Sequence, residues 1–200
     1  MALVKLNNRG VKDITAVGSI GTGDLTFISK QTASSSASIS FTSGIDSTYK
    51  EYIFFFKDIH PATDNVDFTF NSSTDSGSNY NVTKTTTIFS AFHDEADTNT
   101  GVTYGGSKDI AQGTGFQPLT WQVGNDNDQP SNGYLHIFNP SSTTFVKHFL
   151  ARISATTYHN YQRDAYTAGY FNTTSAVDAV QFKMSSGNID SGDILLYGVN

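Results

Sequence analysis

Two acidic strings are the first candidates for chemistry: DEAD at 94–97 and NDND at 125–128. Carboxylates that follow an apolar segment can hold Mg²⁺ in a nucleotide hydrolase, and carboxylate-rich loops can bind Ca²⁺. The magnesium interpretation fails because the glycine-rich stretch at 101–108 follows the first string and has its lysine one position out of place. Neither string completes a calcium loop with its distal glutamate. Both are predicted to be solvated turns with Asx-type hydrogen bonds, and no metal or cofactor is expected.

Covalent and acid–base catalysis have little support. The chain has no cysteine, which excludes thiol nucleophiles, thiolate ligands and disulfides. It has no Gly-x-Ser-x-Gly elbow, and its five histidines are scattered along the sequence. A carboxylate pair for glycoside hydrolysis, such as Glu95 with Asp126, can be judged only from its separation in space. The sequence predicts that the protein is not an enzyme. A glycan-degrading enzyme is kept as a third hypothesis, behind the two non-enzymatic functions given at the end of this subsection.

Aromatic side chains offer another chemistry, since flat rings stack on sugar faces while Asn and Asp side chains bond to hydroxyl groups. Trp121 and Tyr134 fall within predicted strands, where packing in the core is the more common role. The string YHNY at 158–161 lies outside the predicted strands and is a better exposed candidate. The candidate residues for contact with a ligand or receptor are Tyr158, His159, Asn160, Tyr161, Asp126 and Asp128.

The elements that must position these residues are strands. Short segments rich in Ile, Val, Thr, Phe and Tyr recur between clusters of Gly, Ser, Asn and Asp, which predicts an all-β, antiparallel β-sandwich of about nine strands with little helix. The strand candidates are 25–29, 38–41, 52–56, 66–70, 82–92, 119–123, 134–138, 144–153, 167–171, 180–184 and 194–197.

Two of these segments, 52–56 and 194–197, are apolar at every position. Such runs suit central strands that are covered on both sides or that lie at a subunit contact. The segments 97–109 and 124–133 are predicted to be long loops at an end of the sandwich, where contact surfaces are common.

The amino-acid composition limits the classes of molecule that the protein is expected to bind. The 200 residues carry a net charge of −6, which argues against a nucleic-acid footprint. Ser, Thr, Asn and Gly make up 80 residues while charged residues are only 15%, so the surface is rich in hydroxyl groups. No apolar run is long enough to span a bilayer, and the first residues lack a secretion signal. We therefore expect that the protein is made in a cytoplasm and that it does not insert into a membrane.

Residues 1–24 differ from the rest of the chain. They contain three cations in the first twelve positions and the glycine-rich string GSIGTG at 18–23. Glycines at this density favour a hinge. The sequence therefore predicts an N-terminal arm or docking segment at 1–24, followed by a β-sandwich domain at 25–200. The alternative is that the apolar residues of 1–24 supply an edge strand of the sandwich.

Longer strings carry a resemblance that covers nearly the whole chain. They are LTFISKQTA at 25–33, SISFTSGID at 38–46, NVTKTT at 81–86, HIFNPSSTT at 136–144 and AGYFNTTSAVDAVQFKMSSGNIDSGDILLYGV at 168–199. The chain resembles virion structural proteins, described as tail-fibre-like or surface proteins, of marine tailed bacteriophages that infect cyanobacteria and related plankton. The resemblance implies a β-sandwich of jelly-roll type assembled on the particle. It supplies no catalytic motif.

These observations lead to an expected function. The chain is predicted to be a non-enzymatic component of a phage virion, made in the host cytoplasm and displayed on the particle exterior. The arm would bind other virion proteins, and identical chains would form a homo-oligomer. The alternative is a carbohydrate-binding sandwich that recognises host surface glycans.

Overall fold

A computed structural model describes residues 25–199, which contain strands and no helix. The predicted all-β class and antiparallel sandwich are confirmed. The strands are β1 (Leu25–Ser36), β2 (Ile39–Phe41), β3 (Glu51–Pro61), β4 (Val66–Ser73), β5 (Lys84–Asp94), β6 (Thr100–Tyr104), β7 (Gln117–Val123), β8 (Ser131–Phe138), β9 (Lys147–Thr156), β10 (Tyr161–Phe171), β11 (Ala179–Met184) and β12 (Ile189–Val199).

The strands form two sheets that pack face to face. The large sheet has eight strands in the order β1-β12-β3-β8-β9-β10-β5-β6, and the small sheet has four in the order β2-β11-β4-β7. Every neighbouring pair is antiparallel. The first and last strands are partners, since Leu25 pairs with Val199.

The core lies between the sheets and is built largely from phenylalanine. The ring of Phe182 in β11 lies 5.1 Å from Phe54 and 5.1 Å from Phe56, both in β3 of the opposite sheet. It also stacks at 6.0 Å on Phe68 of its own sheet. Edge-to-face pairs of this kind add to the free energy gained from burial of the rings. The core therefore holds the two sheets in one fixed arrangement.

The segment between β6 and β7 completes the core where the small sheet ends. Its Ile110 backbone N–H donates to the Thr86 hydroxyl of β5, and Gly113 pairs with Lys84 in an isolated bridge. Gly115 accepts hydrogen bonds through its carbonyl from Lys84 Nζ at 2.7 Å and from Asn71 Nδ2 at 3.3 Å. The inner face of β5 is thus covered partly by this loop and partly by β7, where Gln117 accepts a hydrogen bond from the Thr86 hydroxyl.

Three sequence expectations about strands are wrong. The described residues contain twelve strands rather than about nine, and most extend beyond the predicted bounds. The segment 97–109 is not one long loop, because β6 lies within it at the edge of the large sheet. Of the two roles expected for the apolar runs 52–56 and 194–197, cover on both sides is not found within residues 25–199, since every second residue of each run is only partly buried. The other role, a subunit contact, stays a prediction. The predicted arm, 1–24, lies outside the described residues.

Candidate interaction surface

The side of the large sheet that faces away from the small sheet, here called the outer face, carries a concentration of apolar side chains. Among residues 25–199, eight large apolar side chains are more than a third exposed, and all except Phe145 lie on the outer face. Exposed apolar side chains gathered on one face of a domain mark a candidate interaction site. The seven are Leu25, Phe27, Phe89, Val102, Tyr104, Tyr134 and Leu150.

Strand register aligns part of this patch into a single line. One residue from each of the eight strands pairs with the next across the whole sheet, and five of the eight are aromatic. Directly opposed side chains in antiparallel strands lie close enough to contact each other. We call this line the cross-strand row, and it consists of Lys30, Leu195, Phe55, Tyr134, Arg152, Tyr166, Phe89 and Tyr104.

The middle of the cross-strand row is a stack of flat groups. The rings of Phe89 and Tyr166 are nearly parallel, with centroids 5.1 Å apart and an interplanar angle of 6°. The guanidinium of Arg152 lies 5.1 Å from the centre of the Tyr166 ring, which is a cation–π contact. These contacts hold the two rings and the guanidinium in one fixed stack, here called the ridge.

Hydrogen bonds hold the stack in place. Arg152 donates from Nε and Nη2 to the carboxylate of Asp164, the latter at 2.7 Å, and the Tyr166 hydroxyl donates to the same carboxylate at 3.0 Å. The bond with Arg152 lowers the pKa of Asp164 and the bond with Asp164 raises the pKa of Arg152 and of Tyr166. All three groups keep their neutral-pH charge states, so the geometry persists over a wide pH range.

Several basic and acidic side chains on the outer face occur as hydrogen-bonded pairs, while Lys57 of β3 is exposed beside Asp193 without such a bond among the described residues. Each pair joins neighbouring strands of the large sheet. A face built this way presents little net charge to a partner. The pairs are Lys30–Asp193 at 3.1 Å, Arg152–Asp164 at 2.7 Å and His136–Glu51 at 2.9 Å.

A depression lies beside the stack at the centre of the outer face. Its volume is about 230 Å³, and its walls come from β5, β8, β9 and β10. A space of this size can accept one or two protruding apolar side chains from a partner, as in the pockets that hold interface anchors. Its exposed apolar walls include Phe89, Tyr134, Leu150 and Tyr166.

The contact residues predicted from the sequence lie together in two neighbouring loops and not on the outer face. Tyr158, His159 and Asn160 form the turn between β9 and β10, and the aspartates of 125–128 lie in the exposed loop between β7 and β8. Buried Gln129 joins the two segments, because its Nε2 donates to Asn160 Oδ1 at 2.7 Å and its Oε1 accepts from Asp126 N at 3.3 Å. Two separate predictions thus fall on one loop cluster.

The rings of this loop cluster contact one another. Tyr158 and His159 have ring centroids 3.7 Å apart, and Tyr161 stacks on Phe92 of β5 at 5.7 Å. The Tyr161 hydroxyl also accepts a hydrogen bond from Asn99 Nδ2. The expectation that Tyr161 lies outside the strands is wrong, since it begins β10.

Two other aromatic expectations have different outcomes. Trp121 is buried, as its strand position predicts, and the guanidinium of Arg163 lies 4.3 Å from its ring centre. Burial lowers the pKa of Arg163 to about 10. Tyr134 is not in the core, because it lies on the outer face with 39% of its surface exposed. A strand assignment alone cannot tell which of the two faces a residue occupies.

The acidic string at 94–97 folds as the turn interpretation predicts. The carboxylate of Asp94 accepts hydrogen bonds from the backbone N–H groups of Thr98 and Asn99 and from the Thr98 hydroxyl. These bonds lower the pKa of Asp94 and occupy both of its oxygens. Within residues 25–199, no three His, Asp or Glu side chains are arranged to hold a metal ion.

Sequence reasoning missed most of the outer face. One signal pointed to it, namely the unbroken apolar runs at 52–56 and 194–197, whose second interpretation was a subunit contact. The other six members of the cross-strand row lie on six further strands, and only the register brings them into line.

Comparison with known proteins identifies no relative of this chain. No family model matches the chain, and no curated protein or solved structure is significantly similar to it. In the part of the chain that the structure describes, no helix is long and apolar enough to cross a lipid bilayer.

Proposed function

We propose that this chain is a non-enzymatic structural protein of a phage virion, assembled on the particle and displayed on its exterior. The observation that carries the proposal is the outer face, where seven large apolar side chains are exposed on a rigid sandwich. Such a face is costly for an isolated soluble domain, because it invites non-specific association. It is expected in a subunit that is buried against others in an assembly.

The strand order supports the proposal. Four strand pairs are nested in the sequence, each lying between the two strands of the pair before it. They are β1 with β12, β2 with β11, β3 with β8 and β4 with β7. This nesting is what a double-sheet jelly roll requires, and the remaining strands extend one sheet beyond it. Jelly rolls are common in viral capsid and lectin domains. Fold alone does not determine function, so the strand order adds to the evidence from the outer face without replacing it.

Residues 1–24 have the second role in this proposal. The segment carries Lys5, Arg9 and Lys12 and leads directly into edge strand β1. We place the contact with other virion proteins in this segment, so that the sandwich is tethered to the particle.

Analysis of purified particles tests the proposal. Particles of the phage that carries the gene are banded on a density gradient, and their proteins are identified by mass spectrometry. Peptides from 25–199 should co-migrate with the particles, and gold-labelled antibodies against the purified chain should decorate intact virions. Presence of the chain in the soluble lysate alone would overturn the assignment.

The loop cluster joined by Gln129 favours a second candidate function, recognition of a host surface glycan. It brings exposed His159 and half-buried Tyr158 close to the exposed aspartates of the neighbouring loop. A glycan array would test this function. Binding should be weakened by His159→Ala and not by His148→Ala, which removes a histidine near Tyr170 on the outer face. Absence of binding to any glycan would remove this candidate.

A further inference from the structure

We infer that the outer face of the large sheet is covered by the outer face of a second copy of this chain, in a two-fold symmetric dimer. The inference rests on the proposed function and names the partner at this surface. It depends on three features of the outer face: its apolar area, its paired charges and its shape.

The apolar area matches what a stable interface needs. The seven exposed side chains are between 39% and 76% exposed. With about 150–200 Å² for each large side chain, they leave roughly 600–700 Å² of apolar surface in water. A standard interface buries about 800 Å² on each partner. The half-exposed residues of the cross-strand row add to this area, so two such faces can form an interface of ordinary size.

Charge favours a second copy over a charged partner. In a two-fold symmetric interface the same patch occurs on both sides, so an excess of either charge would repel itself. Two cations of the outer face are paired within it, Arg152 with Asp164 at 2.7 Å and Lys30 with Asp193 at 3.1 Å, and among the described residues Lys57 of β3 is a cation there without an ion pair. A polyanion such as a nucleic acid or an acidic glycan would find few free cations there. The pairs can also be covered without leaving an isolated buried charge.

Shape agrees with this partner. Sheets pack well on other sheets at about 10 Å separation when apolar side chains interdigitate between them. The outer face has both a ridge, the stack that includes Phe89 and Tyr166, and a depression of about 230 Å³ beside it. A two-fold axis near the centre of the face would place the ridge of each copy towards the depression of the other. Tyr and Arg, which form the middle of the row, are the residues that contribute most to binding energy in interfaces.

Sedimentation equilibrium of the purified chain is the first test, with one variant on the outer face and a matched control. Leu150→Glu places a carboxylate at the centre of the face, where Leu150 is 49% exposed. The control is Phe145→Glu, which replaces the large apolar side chain that is 70% exposed away from the face. The wild-type chain should dimerise. Leu150→Glu should raise the dimer Kd by at least about 100-fold, since the change occurs twice in the interface, and Phe145→Glu should leave it unchanged.

Cysteine cross-linking identifies the face in contact without adding charge. The chain has no cysteine, so each single-cysteine variant reports on one position. Tyr134→Cys, Leu150→Cys and Phe145→Cys are oxidised in solution. Residues near a two-fold axis meet their own copies, so at least one of the two face variants should form a disulfide-linked dimer while Phe145→Cys does not. This test remains decisive if Leu150→Glu fails to fold.

A chain without residues 1–24 separates the second copy from the other possible occupant, the N-terminal segment. The shortened chain should dimerise like the full chain. Dimerisation of the shortened chain alone would show that the segment occupies the face, and would overturn the inference. A monomer in both cases, or a dimer that resists Leu150→Glu and cross-links at neither face position, would overturn it as well. A monomeric chain found in particles would overturn this inference and leave the proposed function intact.

Discussion

Lys84 makes a pH-dependent contribution to stability that can be calculated from its surroundings. The residue is fully buried on the inner face of β5, and its ammonium group donates a hydrogen bond to the Gly115 carbonyl at 2.7 Å. No carboxylate accompanies it among the described hydrogen bonds and ion pairs. Burial lowers the pKa of Lys84 from its ordinary value of 10.5 to about 8. At neutral pH the fold therefore carries a charged group in an environment that disfavours the charge.

The sign and size of the effect follow from this pKa. A lysine whose pKa is lower in the folded state destabilises the fold fully below pH 8, and the penalty disappears as the pH rises towards 10.5. At about 1.4 kcal/mol for each pKa unit, the penalty at pH 7 is roughly 3 kcal/mol. Most of it should be relieved between pH 7 and pH 10.

Replacement of Lys84 by Met removes the charge while preserving much of the side-chain volume. The variant loses a hydrogen bond worth about 1 kcal/mol. We therefore expect Lys84→Met to be more stable than the wild type by about 2 kcal/mol at pH 7 and equal to it within about 1 kcal/mol at pH 10. Urea unfolding followed by Trp121 fluorescence at a series of pH values measures both free energies. Lys57→Met, at an exposed position of β3, controls for the change in net charge.

A constant difference between Lys84→Met and the wild type from pH 7 to pH 10 would refute the reasoning. A variant that is less stable at pH 7 would also refute it, because the hydrogen bond to Gly115 would then outweigh the cost of burying the charge. Both comparisons depend on differences between two proteins at the same pH, so general alkaline destabilisation cancels.

Three further predictions concern the fold. Gly133→Ala should destabilise the chain by more than about 2 kcal/mol in a urea titration, because a Cβ there would lie 2.1 Å from the Arg152 carbonyl oxygen. The control Gly115→Ala should be tolerated, since a Cβ at that position meets nothing within 4 Å. Phe182→Ala should cost about 3–5 kcal/mol by chemical denaturation, and a loss below 1 kcal/mol would contradict its central place in the core. Deletion of 1–24 should leave the melting temperature nearly unchanged, since both sheets lie within 25–199; a large fall would place part of the sandwich in that segment.

Much of the strand content could be predicted from the sequence because burial imposes period two on it. The pattern at 66–70 and 180–184 corresponds to β4 and β11, whose alternate residues face the core. Strand β6 has no such pattern, because it is an edge strand with most of its residues exposed. Nothing constrains the alternation of side chains there, so the segment is indistinguishable from a loop.

The outer face could not be predicted because it depends on pairing between distant segments. Lys30 and Leu195 are neighbours in the cross-strand row although 165 positions separate them. Pairing of this kind is set by the competition among whole strands and leaves no local mark. The loop cluster at 158–161 and 125–128 was easier, since exposed turns rich in Asn and Asp are visible in the sequence. The hydrogen bonds of Gln129 that connect the two loops are not visible in the sequence.

The pairing of the first strand with the last has a consequence for the synthesis of the protein. Strand β1 leaves the ribosome long before its partner β12, because about 150 residues lie between the two strands. The nested pairs β2 with β11 and β3 with β8 also join segments that are far apart in the chain. Folds of such high contact order form slowly, because loop closure must precede the contacts that stabilise it. The large sheet can therefore be completed only once β12 has left the ribosome, and a chain that stops before β12 cannot form the whole outer face.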